Sequence, residues 1–214
     1  MYNYQSLKQK HRELREQLSA QLSLRIHRSL SWLNKAEQSN DMDSQFIFSW
    51  IAFNAAYAKD LFNCQSERDQ LKDFLQLICQ LDQQKHLYRL IWQQFPKAIR
   101  TLLENQFVYQ PFWNYYNQYQ LNDWRVSFER EKQQAYQALA QQNTIEILHI
   151  IFSRLYTLRN QLVHGGATWN SAVNRSQIRD ACGIMMNLVP IIIDIMLDNP
   201  TQQWGEVFYP VIED

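Results

Sequence analysis

Glycine and proline are scarce in this chain, with four glycines and five prolines among 214 residues. Turn-rich all-β folds draw heavily on both, so the shortage excludes them and predicts an all-α fold. Cysteine is scarce too. Cys64, Cys79 and Cys182 are odd in number and far apart, with no CxxC or Cys/His spacing. That excludes a disulfide framework and a zinc site, and predicts buried thiols in a reducing compartment. Missing as well is any excess of charge, since Lys plus Arg and Asp plus Glu number 21 each. Proteins that grip long duplex DNA carry a broad basic surface, because each neutralised phosphate releases counterions. Balanced charge excludes that class and leaves room for a small local basic site. No uninterrupted apolar run spans a bilayer: "CGIMMNLVPIIIDIML" is broken by Asn187, Pro190 and Asp194. "MYNYQSLKQKHRELREQL" has no apolar signal core. The expectation is a cytoplasmic protein with no membrane partner, no DNA partner, no metal and no cofactor.

What is present is apolar material for a sizeable core: 46% of residues are hydrophobic and 14% aromatic, which suits one domain over 1–214. Leu7, Leu14, Leu18, Leu22, Ile26, Leu30 and Leu33 recur at helical steps and predict one long helix over 6–38. "SNDMDS" (39–44) interrupts it and offers an N-cap at Asp43 or Ser44. "QFIFSWIAFNAAYAKDLF" is apolar almost all round, as a buried central helix is, and Asn54 is its conspicuous polar residue. Residues 66–142 read as a helical insert, with helices near 66–82, 84–94, 97–105 and 122–142. An aromatic connector, "FVYQPFWNYYNQYQLNDW", precedes the last of these. Its eight aromatic residues either stack nucleobases or pack the connection onto the bundle. Thr144 is placed to cap a helix that ends at Gly165 and Gly166, and a final helix over 173–198 stops at Asn199-Pro200. The tail "QQWGEVFYPVIED" is expected to lie extended across a bundle built on two long antiparallel helix hairpins.

The chemistry concentrates in "LYTLRNQLVHGGATW" (155–169). On the helix ending there, Ile147, Ile151, Leu155, Leu158 and Leu162 form a core stripe, while His149, Ser153, Thr157 (or Tyr156), Asn160 and His164 form a polar one. Asn160 and His164 are four apart and share a face. Arg159 lies ~140° around from His164, so its long side chain must reach across. Arg154 adds a cation about one and a half turns earlier. Imidazole moves protons near neutrality, and guanidinium holds phosphate oxygens in a planar fork. Together they suit metal-free RNA cleavage, in which the 2′-hydroxyl attacks the adjacent phosphate and leaves a 2′,3′-cyclic phosphate and a 5′-hydroxyl. The other reading is a helix cap, with His164 covering the last carbonyls before the glycines.

Two segments together resemble the HEPN superfamily (higher eukaryotes and prokaryotes nucleotide-binding domains). "FIFSWIAFNAAYA" (46–58) is similar to the W-I-A-F-N-A-x-Y helix of Apea-like, uncharacterised HEPN proteins. "LRNQLVHGG" (158–166) matches the R-N-x-x-x-H signature, four residues separating arginine from histidine. "SLSWLNKAEQ" before the first segment and "WGEVFYP" in the tail fit the same order. The resemblance covers about 25–62 and 144–210 and leaves the 66–142 insert unmatched. It implies a metal-independent endoribonuclease acting as a homodimer on an RNA substrate, of the kind found in toxin–antitoxin, phage-defence and RNA-processing systems, with an antitoxin or defence-system partner. Carried over, Arg159 orients and stabilises the phosphate, His164 handles the proton, and Asn160 fixes geometry. Asn54 bonds into the same site, and Arg154 joins it in binding substrate. The family's H-x-Y variant is absent, because Gly165-Gly166 follow the histidine. Some HEPN domains are not catalytic, so the alternative is a non-catalytic all-α dimerisation or nucleotide-binding module.

Overall fold

A computed structural model describes residues 2–58, 67–120, 122–172, 174–207 and 209; Cys64 and the last residues of the tail lie outside them. The fold is all-α, and among the described residues extended pairing is limited to an isolated bridge at Val207. The expected helix over 6–38 is two helices, α1 (Tyr4–Leu14) and α2 (Ala20–Glu37), separated by a 3-10 turn (Arg15–Gln17). The chain leaves the helical region at Leu18, and Ser19 then starts α2 by accepting the Leu22 N–H at 3.2 Å. Leu18 continues the apolar spacing, so periodicity alone hid the break. α3 (Met42–Tyr57) is capped by Asp41, whose carboxylate accepts the Ser44 N–H at 2.8 Å. The cap therefore falls two residues ahead of the expected Asp43 or Ser44.

α2 and α3 form a tightly packed antiparallel hairpin, tied inside by Ser29 Oγ donating to the Ala52 carbonyl at 2.7 Å. α10 (Arg175–Asp198) packs on α3 and then α2. It passes through Pro190 without ending and carries the longest apolar surface of the chain, nearly all of it buried. By length and composition this helix is apolar enough to cross a membrane; here it is a core helix. α9 (Thr144–Val163), capped by Asn143 and not by Thr144, packs mainly on α4 (Glu67–Leu81), α8 (Trp124–Ala140) and α6 (Pro96–Glu104). α3 touches both α9 and α10, which make little direct contact with one another. The insert is helical as expected, with two differences. The segment 84–94 is a short α5 (His86–Arg89) followed by a π-helical turn (Leu90–Gln94), and the aromatic connector contains α7 (Gln110–Tyr116).

Arg25 on α2 is 1% exposed and has no carboxylate partner among the described residues. Its guanidinium donates to the carbonyls of Ala56 (3.2 Å), Ala58 (2.6 Å), Gly205 (3.3 Å) and Glu206 (2.7 Å). The tail is thereby held across the bundle, with Trp204 and Val207 buried. Burial drives the Cys79 and Cys182 thiols up to about 12 and about 11, with the carboxylates of Asp82 and Asp41 adding in the same direction.

His11 and His149 are both held below the ordinary value of 6.5, chiefly by burial. The native state binds their neutral forms, so the unfolded chain takes up protons first as pH falls. Stability is fully present above pH 6.5 and declines as acid titrates down through the lowered native values. Urea denaturation at pH 7.5 and 5.5 is expected to give a lower midpoint at the acid value, and the double variant His11→Gln/His149→Gln should narrow that difference.

Candidate functional site

The polar stripe of α9 is covered at its start and opens at its end. His149 is half-buried against α4, and Thr157 is buried and donates to the Ser153 carbonyl at 3.2 Å. Asn160 is half-buried and His164 is exposed. The helix terminates in a left-handed turn: Gly165 has φ +70°, Gly165 N–H donates to the Leu162 carbonyl (3.2 Å), and Gly166 N–H donates to the Gln161 carbonyl (2.7 Å). This is the double bond pattern of a Schellman motif. The cap is therefore made by backbone and glycine. His164 contributes its own N–H to the Asn160 carbonyl at 2.9 Å, while its imidazole has no hydrogen bond or ion pair among the described residues. An alanine at Gly165 would meet no neighbouring atom, so the strain of positive φ is its whole penalty. Gly165→Ala is expected to cost about 1 kcal/mol in chemical denaturation.

The Arg159 side chain stays beside its own helix neighbours. Its Nη1 donates to Asn160 Oδ1 at 2.9 Å, and the guanidinium lies 5.8 Å from the centre of the Tyr156 ring. Arg159, Asn160 and His164 are thus joined in sequence: guanidinium to amide by a side-chain bond, and amide residue to histidine by the last helical bond of α9. No carboxylate forms an ion pair with Arg159 among the described residues.

Comparison with known proteins leaves the site to be read from its own geometry. No family model, no curated protein and no solved structure matches this chain.

Two further residues expected in the site lie elsewhere. Arg154 is 1% exposed and points into the junction with α7 and α8. Its guanidinium sits 4.5 Å from the Tyr109 ring centre and 5.5 Å from that of Phe128, and it forms a 2.7 Å ion pair with Glu131. Nε and Nη1 have no hydrogen-bond partner among the described residues. Arg154 therefore organises a second core of Tyr109, Phe112, Trp124 and Phe128, so those connector rings are packing and not an open stacking surface. Asn54 is displaced along the fold. Trp50 packs on Phe152 and Tyr156, and Phe53 stacks on Phe152 at 4.6 Å, so α3 runs antiparallel to α9. Asn54 is then level with the middle of α9, and at ~1.5 Å per residue the offset to His164 is on the order of 20 Å. Its buried Oδ1 has no hydrogen-bond partner among the described residues.

The residues that frame the His164 end are Asp43, expected only as a helix cap, and others that the sequence pattern did not single out. Asp43 is buried at the start of α3 and takes a two-pronged ion pair from Arg175, Nη1 to Oδ1 at 3.2 Å and Nη2 to Oδ2 at 3.0 Å. Asp43 also accepts the Asn170 N–H at 2.8 Å, and Arg175 Nε donates to the Ser171 carbonyl at 3.0 Å. Asp41 accepts from Trp169 Nε1 at 3.4 Å and is held below the usual carboxylate range chiefly by the Ser44 N–H. The loop after His164 is thus tied to the α3 N-terminus. On the other side Gln161 donates to the Phe107 carbonyl (2.6 Å) and accepts from Asn174 (2.8 Å), joining the connector to the same helix end.

Proposed function

We propose that this chain is a metal-independent endoribonuclease of HEPN type, acting as a homodimer on single-stranded or looped RNA. The observation that carries the reading is the free imidazole of His164. The helix is capped without it, it is exposed, and it stands one turn from an arginine–asparagine pair that no carboxylate among the described residues neutralises. In the proposed reaction His164 withdraws the 2′-hydroxyl proton, and the resulting oxygen attacks the adjacent phosphorus. The bond to the 5′-oxygen breaks as that oxygen takes up a proton, from the imidazolium or from water, leaving a 2′,3′-cyclic phosphate and a 5′-hydroxyl. Arg159 holds the phosphate oxygens as charge builds on them, because the helix end itself presents carbonyls and not N–H groups. Asn160 fixes the guanidinium. Two such helix ends in a dimer supply two copies of each group to one cleft, in keeping with the family resemblance.

The test is cleavage of mixed tRNA and of a single-stranded RNA pool in EDTA, with end-group analysis, by wild type, Arg159→Ala and His164→Ala. Cleavage that resists EDTA, leaves cyclic phosphate and disappears in both variants supports the ribonuclease. Equal background in all three sinks it. The balanced charge of the chain favours a second reading, a non-catalytic dimerisation or nucleotide-binding module. That reading predicts the equal background together with RNA-independent dimers.

A further inference from the structure

The insert carries a cleft of its own. It lies between the π-helical turn, α6, α8 and the α8–α9 turn, and has a volume of about 400 Å³. Its origin is local. Proline at 96 disfavours helical backbone at Phe95, so the preceding helix closes on a wide turn in which the Phe95 N–H donates to the Leu90 carbonyl at 3.1 Å. That extra residue in the turn brings Ile91 and Trp92 to the cleft wall, facing Ile99 of α6 and Leu139 of α8. The Trp92 ring is fixed by Nε1 donating to Thr144 Oγ1 at 3.0 Å. At the mouth, Gln142 is held at φ 52°, a conformation rare outside glycine, with its amide oxygen taken by the Tyr88 hydroxyl at 2.8 Å.

The polar groups at the mouth are unequal. Glu104 accepts the Tyr136 hydroxyl, whereas Arg100, one turn earlier on α6, is exposed and makes no hydrogen bond or ion pair among the described residues. An apolar wall, a fixed tryptophan and one uncommitted guanidinium at the rim define a complementary shape: an apolar body with a single carboxylate. We propose that this cleft binds a small amphipathic carboxylate, on the order of ten heavy atoms, with the chain or ring against Trp92, Ile99 and Leu139 and the carboxylate on Arg100. The site shares no residue with Arg159, Asn160 and His164 and stands independently of the ribonuclease reading.

The probe is octanoate, compared with 1-octanol, titrated calorimetrically into wild type, Arg100→Gln and Ala140→Phe. Octanoate is expected to bind wild type with Kd of about 0.1–1 mM, and octanol about tenfold more weakly. Arg100→Gln, at an exposed position, should weaken octanoate about tenfold and leave octanol unchanged. Ala140→Phe places a ring in the cleft mouth and should abolish both while the helical circular dichroism persists. No octanoate binding at about 5 mM, equal affinity for acid and alcohol, or indifference to Arg100→Gln would each overturn the proposal.

Discussion

His164→Ala is expected to lower EDTA-resistant RNA cleavage by about 100- to 10,000-fold, the range for loss of a positioned proton-transfer group, while changing folding stability by no more than about 0.5 kcal/mol. Both halves rest on the same geometry. The imidazole is exposed and bonded to nothing described, and the two cap bonds run from glycine N–H groups to the carbonyls of Gln161 and Leu162. Removing the ring takes away no cap. Thermal denaturation beside the cleavage assay separates the outcomes. A variant destabilised by more than about 1 kcal/mol would give His164 a structural role that the hydrogen bonds do not show. A variant as stable and as active as wild type would end the catalytic reading. Arg159→Ala is expected to lose cleavage too, through the phosphate and not the proton.

Arg25→Ala is expected to lower unfolding free energy by about 4 kcal/mol, the scale of breaking a buried charged network. The substitution leaves four carbonyls, those of Ala56, Ala58, Gly205 and Glu206, in competition for partners that are no longer there. It also removes a side chain that is among the largest fully buried ones. Arg25→Lys keeps the positive charge but loses the planar fork that reaches both segments at once, and should recover only part of the loss. Hydrogen exchange at Val207, whose N–H donates to Gln21 Oε1 at 3.2 Å, reports the tail directly: in both variants this amide should lose protection earlier than those of α3. A loss below about 1 kcal/mol for Arg25→Ala would mean that the tail is held by Trp204 alone.

Fold class was legible in the scarcity of glycine and proline, and α3, α9 and α10 in their apolar patterning, because those helices are buried and burial selects apolar residues. The break at Leu18 was not, since a leucine in the helical register looks the same in a helix as in the extended residue before a cap. The π-helical turn was invisible because it adds one residue to a turn without changing composition. Arg154 read as a free cation, and only the three-dimensional meeting of α9 with Tyr109, Phe128 and Glu131 shows it enclosed. Asn54 failed by register: the sequence shows that an amide is buried, but the direction of α3 against α9 decides which level it faces. That Arg159, Asn160 and His164 sit together at one helix end was legible because they are close in sequence at the end of α9.

The Arg25 clamp has a consequence for the order in which the chain acquires its structure. The α2–α3 hairpin is local and forms early, yet the carbonyls of Gly205 and Glu206 that complete its buried guanidinium lie 180 and 181 residues further along. During synthesis at about 5–20 residues per second, the hairpin waits on the order of ten seconds for those partners. Until then Nη1 has its local carbonyls of Ala56 and Ala58 while Nη2 depends on water, and the apolar faces destined for α10 stay uncovered. Nascent chains arrested before residue 205 should therefore be the species most prone to chaperone capture and aggregation.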